Sequence, residues 1–492
     1  MKFNPITSSM ALLLAVSGAQ SQTALAEDFG LTVQNLLRAK SETLFGVVKP
    51  LSASAPATSG AYRAPAQTAA SQVALAQGLS AEYVTRGAAN ATDMIAFWPN
   101  DNAPTHLITC VEGGRDEIAP GKWNPSVQRI NLVTGAVETL LRGMSGCDGI
   151  RRTAWGTILA TEEEDDGGAY EIIKPLATTE NSVTDRAVGT IAGATAGNIA
   201  KRVALPQMAW EGLIVLPNGV VIGGDELRPG TAAADVDGGA IFKFVPTAPR
   251  TEAGPIDDLD QSPLVAGANY AMQVSCVNSK QQFGQGCEIG NAGWIAVGAL
   301  TARADANEKG ATGYYRPEDL HQDRLYRDAA NPAAVRFCWT DTGNEGAGNY
   351  AEVVCAIDNE PHNTYVTPET GNPTKRTTLV NRFVEGDKDF NSFDNLDFQP
   401  RTGNLYVIED HPNGDIFACL PDGRDRDLKT DGCVKILSVK DSSAEPTGFI
   451  FTGDGSTAFV SIQHSDDGFM PSVDGYATDD VLKITGFKLP AR

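Results

Sequence analysis

From Met94 onward, short apolar runs rich in β-branched and aromatic residues alternate with Gly, Pro, Asn and Asp clusters. That texture predicts many short strands and an all-β chain. The preceding stretch, residues 27–90, is poor in aromatics and rich in Ala, Ser and Thr, notably from Ser52 to Ala76. It predicts an irregular N-terminal arm lying on the surface.

A single unit recurs within the β-prone region. Trp155-Gly156 leads through an apolar run to Glu162-Glu163, Asn218-Gly219 to Asp225-Glu226, and Thr402-Gly403 to Glu409-Asp410. In all three, two acids stand six and seven positions after the glycine. A looser copy runs from Asp454-Gly455 to Gln463-His464. Leu107 to Leu141 and Trp294 to Ile357 can supply two more units. A turn–strand–acid pair–loop–strand unit cannot bury its faces alone, so a ring of stacked units is the physical solution. The expectation is one six-bladed β-propeller domain over residues 91–492. Roughly 78 residues fall to each unit, against ~40–50 in compact propeller repeats. Long loop insertions take up the excess.

In a ring, equivalent strand ends share one rim, so the three acid pairs are expected to converge on one mouth. Clustered carboxylates repel one another, and cations relieve that repulsion. Charge agrees with this reading: 39 Lys+Arg face 61 Asp+Glu, for a net charge of −22. Such a balance excludes nucleic acid as a binding partner, because phosphate backbones need clustered Lys and Arg. Carboxylates offer hard oxygen ligands suited to Ca²⁺. The chain has 5 histidines and no His-Glu-x-x-His, Gly-x-Ser-x-Gly, P-loop or dinucleotide fingerprint, so those hydrolase and nucleotide classes are set aside.

The N-terminus combines Lys2, an apolar run from Met10 to Val16 and Ala24-Leu25-Ala26. This is the pattern of a cleaved signal peptide over residues 1–26. No stretch is long and apolar enough for a membrane span. A periplasmic or secreted protein follows, and the 8 cysteines fit an oxidising compartment. Cys276/Cys287, Cys338/Cys355 and Cys419/Cys433 are close in sequence and read as loop staples. Cys110 and Cys147 remain, either as a fourth disulfide or with Cys147 free to bind metal.

Arg316-Pro317-Glu318-Asp319 sets an arginine beside acids. The guanidinium can clamp a phosphate while an acid holds metal; a surface turn with a local ion pair is the plain alternative. Together with Cys147, Thr153-x-Trp155-Gly156-Thr157, Glu162-Glu163, Trp210-Glu211-Gly212, Asp225-Glu226, Asp394-Asn395-Leu396, Glu445-Pro-Thr-Gly448 and Gln463-His464, this motif resembles the PhoX-type alkaline phosphatases. The resemblance runs in order from about Met94. It implies a six-bladed propeller with Ca²⁺ and Fe³⁺ in its central mouth, hydrolysing small-molecule phosphate monoesters. By matching position it implies Glu163, Glu211, Glu226, Glu318 and Asp394 as metal ligands, Arg316 as the phosphate-binding catalytic residue, and Cys147 as an iron-binding thiolate. Glu164 stands where the family has Asn. Two other readings stay open: a calcium-stabilised propeller that binds without catalysing, and a propeller hydrolase of another ester such as a lactone.

Overall fold

A computed structural model describes residues 29–59, 62–230, 238–274, 288–363, 377–421, 432–465 and 469–490. The expected signal peptide and the Cys276/Cys287 staple lie outside the described residues. No helix among the described residues is long and apolar enough to cross a membrane.

The chain is all-β with a propeller-like arrangement of sheets, as the repeat predicts. Six strands line the axis: Thr92–Trp98, Cys147–Arg152, Trp210–Val215, Pro317–Gln322, Phe393–Phe398 and Glu445–Phe451. Each contacts the next in this order, and the last contacts the first, so the contacts close a ring. Outward from each inner strand runs an antiparallel meander, for example Cys147–Arg152, Thr157–Glu162, Ala169–Ile173 and Ile199–Lys201. The third and fourth meanders fuse into one sheet, because Gly290–Val297 pairs with both Gly267–Val274 and Thr378–Glu385.

Apolar layers between neighbouring sheets form the core. Strand Thr157–Glu162 is buried at every position, as a strand covered on both faces must be. Trp155, Trp210, Trp294 and Trp339 are almost wholly buried. The Cys338–Cys355 and Cys419–Cys433 disulfides join residues directly opposite in paired strands.

The expected irregular arm is more ordered than its composition suggests. Val73–Leu75 pairs with Cys433–Val439, and Ser80–Ala89 pairs with the last strand, Thr478–Thr485. The N-terminal strand thus supplies the outer edge of the sheet that ends the chain and ties the two ends of the ring together. Arg63 locks the closure: its Nη2 lies 2.6 Å from Asp480 Oδ1, and both side chains are buried. Gln72 and Arg86 also hold Asp480. Arg63→Ala is therefore expected to lower unfolding free energy by about 3 kcal/mol, since it strips a partner from a buried charge. Urea titration checks this, and a change below ~1 kcal/mol contradicts it.

Candidate metal centre

Five of the six inner strands begin with the same local geometry. Asp93, Asp148, Glu211, Glu318 and Asp394 each hold the second position of their strand. At each of these positions two residues stand opposite one on the neighbouring strand, between Thr92 and Ile95, Cys147 and Ile150, Trp210 and Leu213, Pro317 and Leu320, and Phe393 and Leu396. Such a bulge breaks the alternation of faces and re-aims the side chain. Four of these strands are entered through a left-handed residue: Ala91, Gly146, Arg316 and Ser392, with φ of 66°, 53°, 61° and 51°. In the sixth strand the bulge falls later, after Thr447, and Pro446 takes the second position.

The bulged carboxylates meet on the axis. Carboxylate oxygens of Asp93, Glu112 and Asp148 lie within 4.8 Å of one another, as do those of Asp148, Glu163 and Glu211, and those of Glu211, Glu318 and Asp394. Asp148 and Glu211 link the three groups into one chain of acids. Burial pushes the carboxyls of Asp93, Asp148, Glu163, Glu211 and Asp394 far above the usual range, and repulsion from the neighbouring acids pushes them further. Burial raises Glu318 to about 8 although Arg316 opposes the shift. Glu445, at the same mouth, is raised to about 10 by burial and by Asp410. Asp148 Oδ1 and Glu211 Oε2 are buried without a hydrogen-bond partner. An oxygen-only donor set with buried, unsatisfied oxygens fits a hard cation such as Ca²⁺.

The acid pairs do not converge as whole pairs. The first acid of each is structural. Glu162 accepts from the Ser145 and Gly168 amides and pairs with Arg186 at 2.7 Å. Asp225 accepts from the Ala209 amide and pairs with Arg303 at 2.6 Å. Glu409 accepts from the Asn391 and Asp415 amides and lies 3.3 Å from His411. The second acid faces the mouth: Glu163 joins the acid chain, while Glu226 and Asp410 hold Arg316. Arg316 contacts Glu226, sits 3.0 Å from Glu318 and 2.8 Å from Asp410, and is only 18% exposed. It is no surface turn, and the three carboxylates hold its guanidinium charged.

Cys147 requires a correction. Its sulfur is bonded to that of Cys110, so no thiolate is available to a metal. The disulfide bridges two sheets: it joins the second strand of the first sheet, His106–Val111, to the start of the second inner strand, which packs against it. Glu163, Glu211, Glu318 and Asp394 do come together, and Glu226 lies beside them through Arg316. Sequence reasoning missed Asp93, Glu112 and Asp148. Their signal was an acid directly after the first residue of an inner strand, or after a second strand in Glu112, visible only once strand starts are known.

Residues 232–466, a little under half of the chain, match the family model described as alkaline phosphatase PhoX. That span includes Arg316, Glu318 and Asp394. Among solved structures, PhoX of Pseudomonas fluorescens in complex with vanadate, a transition state analogue, is similar to 88% of this chain and 98% of its own, with 14% identity and a TM-score of 0.56. The PQQ-bound form of the aldose sugar dehydrogenase of Streptomyces coelicolor is similar over 84% of this chain and 99% of its own, at 11% identity and a TM-score of 0.39. No curated protein matches. The family resemblance read from the sequence is borne out, and with it the phosphatase class.

Carboxyls whose folded-state pKa is raised bind protons more tightly folded than unfolded. Their contribution to stability is present at low pH and is lost as pH rises from their unfolded value near ~4.5 through the folded one. The chelated protein is therefore expected to lose stability between about pH 5 and 8. Glu211→Gln removes one charge from the acid chain. It is expected to raise the chelated protein's stability at pH 8 by about 1 kcal/mol and to shrink the stabilisation gained on adding Ca²⁺. Thermal melts in chelator and in CaCl₂ measure both, and an unchanged calcium response contradicts the shared-cation reading.

Proposed function

With a PhoX-type phosphatase as the premise, we propose that this chain is an exported, metal-dependent enzyme that hydrolyses phosphate monoesters at the mouth of a six-bladed propeller. The observation that carries the reading is the placement of Arg316 beside the converging buried carboxylates. Glu163, Glu211, Glu318 and Asp394 would hold cations, joined by Asp93, Glu112 and Asp148, with Glu226 at the rim. Calcium suits this all-oxygen set. Iron keeps no sulfur ligand here, because Cys147 is closed against Cys110. The expected signal peptide supports export.

When bound, cations at this site neutralise phosphoryl charge and acidify water, which supplies a nucleophile without a histidine. The remaining work belongs to the chain. Arg316 presents a planar fork of N–H donors at the mouth, matched to phosphate oxygens. Glu226, Glu318 and Asp410 fix its position in the absence of substrate. The Thr342 hydroxyl donates to Glu318 Oε1, which also faces Arg316, and the Thr447 hydroxyl donates to Asp93 Oδ1 at 2.6 Å, so hydroxyls help to orient two of the acids. Asp93, Asp148, Glu211 and Glu318 are almost wholly buried, and that low-dielectric setting strengthens each of these interactions.

Arg316→Ala is expected to lower turnover of a generic phosphate monoester on the order of 10²-fold, with Arg316→Lys recovering only a fraction of it because it lacks the fork. Calcium content should stay at the wild-type level in both variants. Wild-type turnover in Arg316→Ala rejects the role. A sulfate- or carboxylate-ester substrate turned over faster than phosphate esters moves the reading to another ester.

A further inference from the structure

In three sheets an acid stands opposite the first residue of the inner strand: Glu162 opposite Cys147, Asp225 opposite Trp210 and Glu409 opposite Phe393. Each accepts a backbone amide from the segment that leads into that strand, from Ser145 at 3.1 Å, Ala209 at 3.0 Å and Asn391 at 3.0 Å. Those amides lie just ahead of the axial acids Asp148, Glu211 and Asp394. In the first sheet the matching position, opposite Thr92, is Val111. Val111 is almost wholly buried, and its side chain has no atom that can accept an amide. Glu112, the next residue, still joins the axial acids. The first sheet thus keeps the mouth-facing member of its pair and lacks the member that would hold the strand entry.

Asp479, in the last strand of the chain, reaches that entry from the neighbouring sheet. It is fully buried. Its Oδ2 accepts from the Ala91 amide at 2.7 Å and from the His464 amide at 3.2 Å. Both donors are non-glycine residues in the left-handed region, with φ of 66° and 62°, a conformation that persists only where the surroundings fix it. Ala91 stands two residues ahead of Asp93, and its carbonyl accepts the Glu112 amide at 2.8 Å. His464 follows Gln463, whose side-chain amide donates to Glu112 Oε2. One carboxylate oxygen therefore holds the turn that leads to Asp93 and the two backbone segments that contact Glu112. Asp93 and Glu112, with Asp148, make up the first of the three groups of converging acids. The adjacent Asp480 takes Arg63 instead, so neighbouring aspartates divide the work: one closes the ring, and the other holds the entry of its first inner strand.

We propose that Asp479 is a positioning residue for the cation group of Asp93, Glu112 and Asp148, doing from the last strand what Glu162, Asp225 and Glu409 do within their own sheets. Asp479 is not one of the acids that share the ion. It fixes the left-handed turn from which Asp93 and Glu112 are presented, as hydrogen-bonded groups behind metal ligands do. The inference rests on the reading of the axial acids as cation ligands, and it needs no substrate and no turnover.

The test uses the full chain, stripped with chelator and titrated calorimetrically with CaCl₂ at a temperature where every variant is folded. Asp93→Asn marks which binding event belongs to this group. Asp479→Ala removes the acceptor, and Asp479→Asn keeps an oxygen of the same reach. Arg63→Ala is the control for a merely structural role, since it loosens the same strand through Asp480 and leaves both amides their acceptor. Asp479→Ala is expected to weaken the marked event about tenfold or more, with Asp479→Asn recovering most of the affinity and Arg63→Ala matching wild type. Asp479→Ser, whose hydroxyl is one bond too short to reach both amides, is read in the same way and serves if the alanine variant does not fold. An affinity in Asp479→Ala equal to wild type, or lowered no more than in Arg63→Ala, overturns this proposal alone. A wild-type chain that binds no calcium overturns it together with the cation reading.

Discussion

Five acids at the starts of five inner strands are pressed into one buried space, and like charges at such range cannot all ionise without compensation. The rest of the molecule can be read as the apparatus that sustains this arrangement. Bulges turn Asp93, Asp148, Glu211, Glu318 and Asp394 away from the blade faces and onto the axis. Left-handed residues ahead of four of those strands set the entry angle. Closure of the ring by Ser80–Ala89 against Thr478–Thr485 prevents the strands from spreading apart to relieve the repulsion.

Charge is handled in two ways around this centre. Where an acid has only a structural duty, a protein cation neutralises it, as Arg186 does for Glu162 and Arg303 for Asp225. On the axis the chain supplies mainly Arg316, which is shared among Glu226, Glu318 and Asp410. The shortfall of positive charge there is what bound cations are suited to settle.

Much of the architecture was legible because the repeat is local. A glycine turn, an apolar run and an acid pair at fixed spacing identify the second strand of a unit, and the turn that joins it to the inner strand, without any knowledge of its partners. What the acid pair does was not legible, since it depends on residues far along the chain: Arg303 stands 78 positions from Asp225. Composition misread residues 73–89 for the same reason. Ala- and Ser-rich strands carry little periodic signal, and their partners lie near the other end of the chain. The axial acids Asp93 and Asp148 escaped because a bulge breaks the period-2 pattern that marks a strand face. Cys147 was ambiguous between thiolate and disulfide because its partner Cys110 lies in the neighbouring sheet, and only the packing of the two sheets brings them together.

The most direct measurement of the central claim is turnover of a phosphate monoester by the full chain, stripped with chelator and then titrated with Ca²⁺, with calcium and iron quantified in the same samples. The account predicts loss of turnover on stripping and saturable recovery with calcium while iron stays far below one ion per chain. Full activity in the stripped protein, or recovery that requires iron and not calcium, contradicts it.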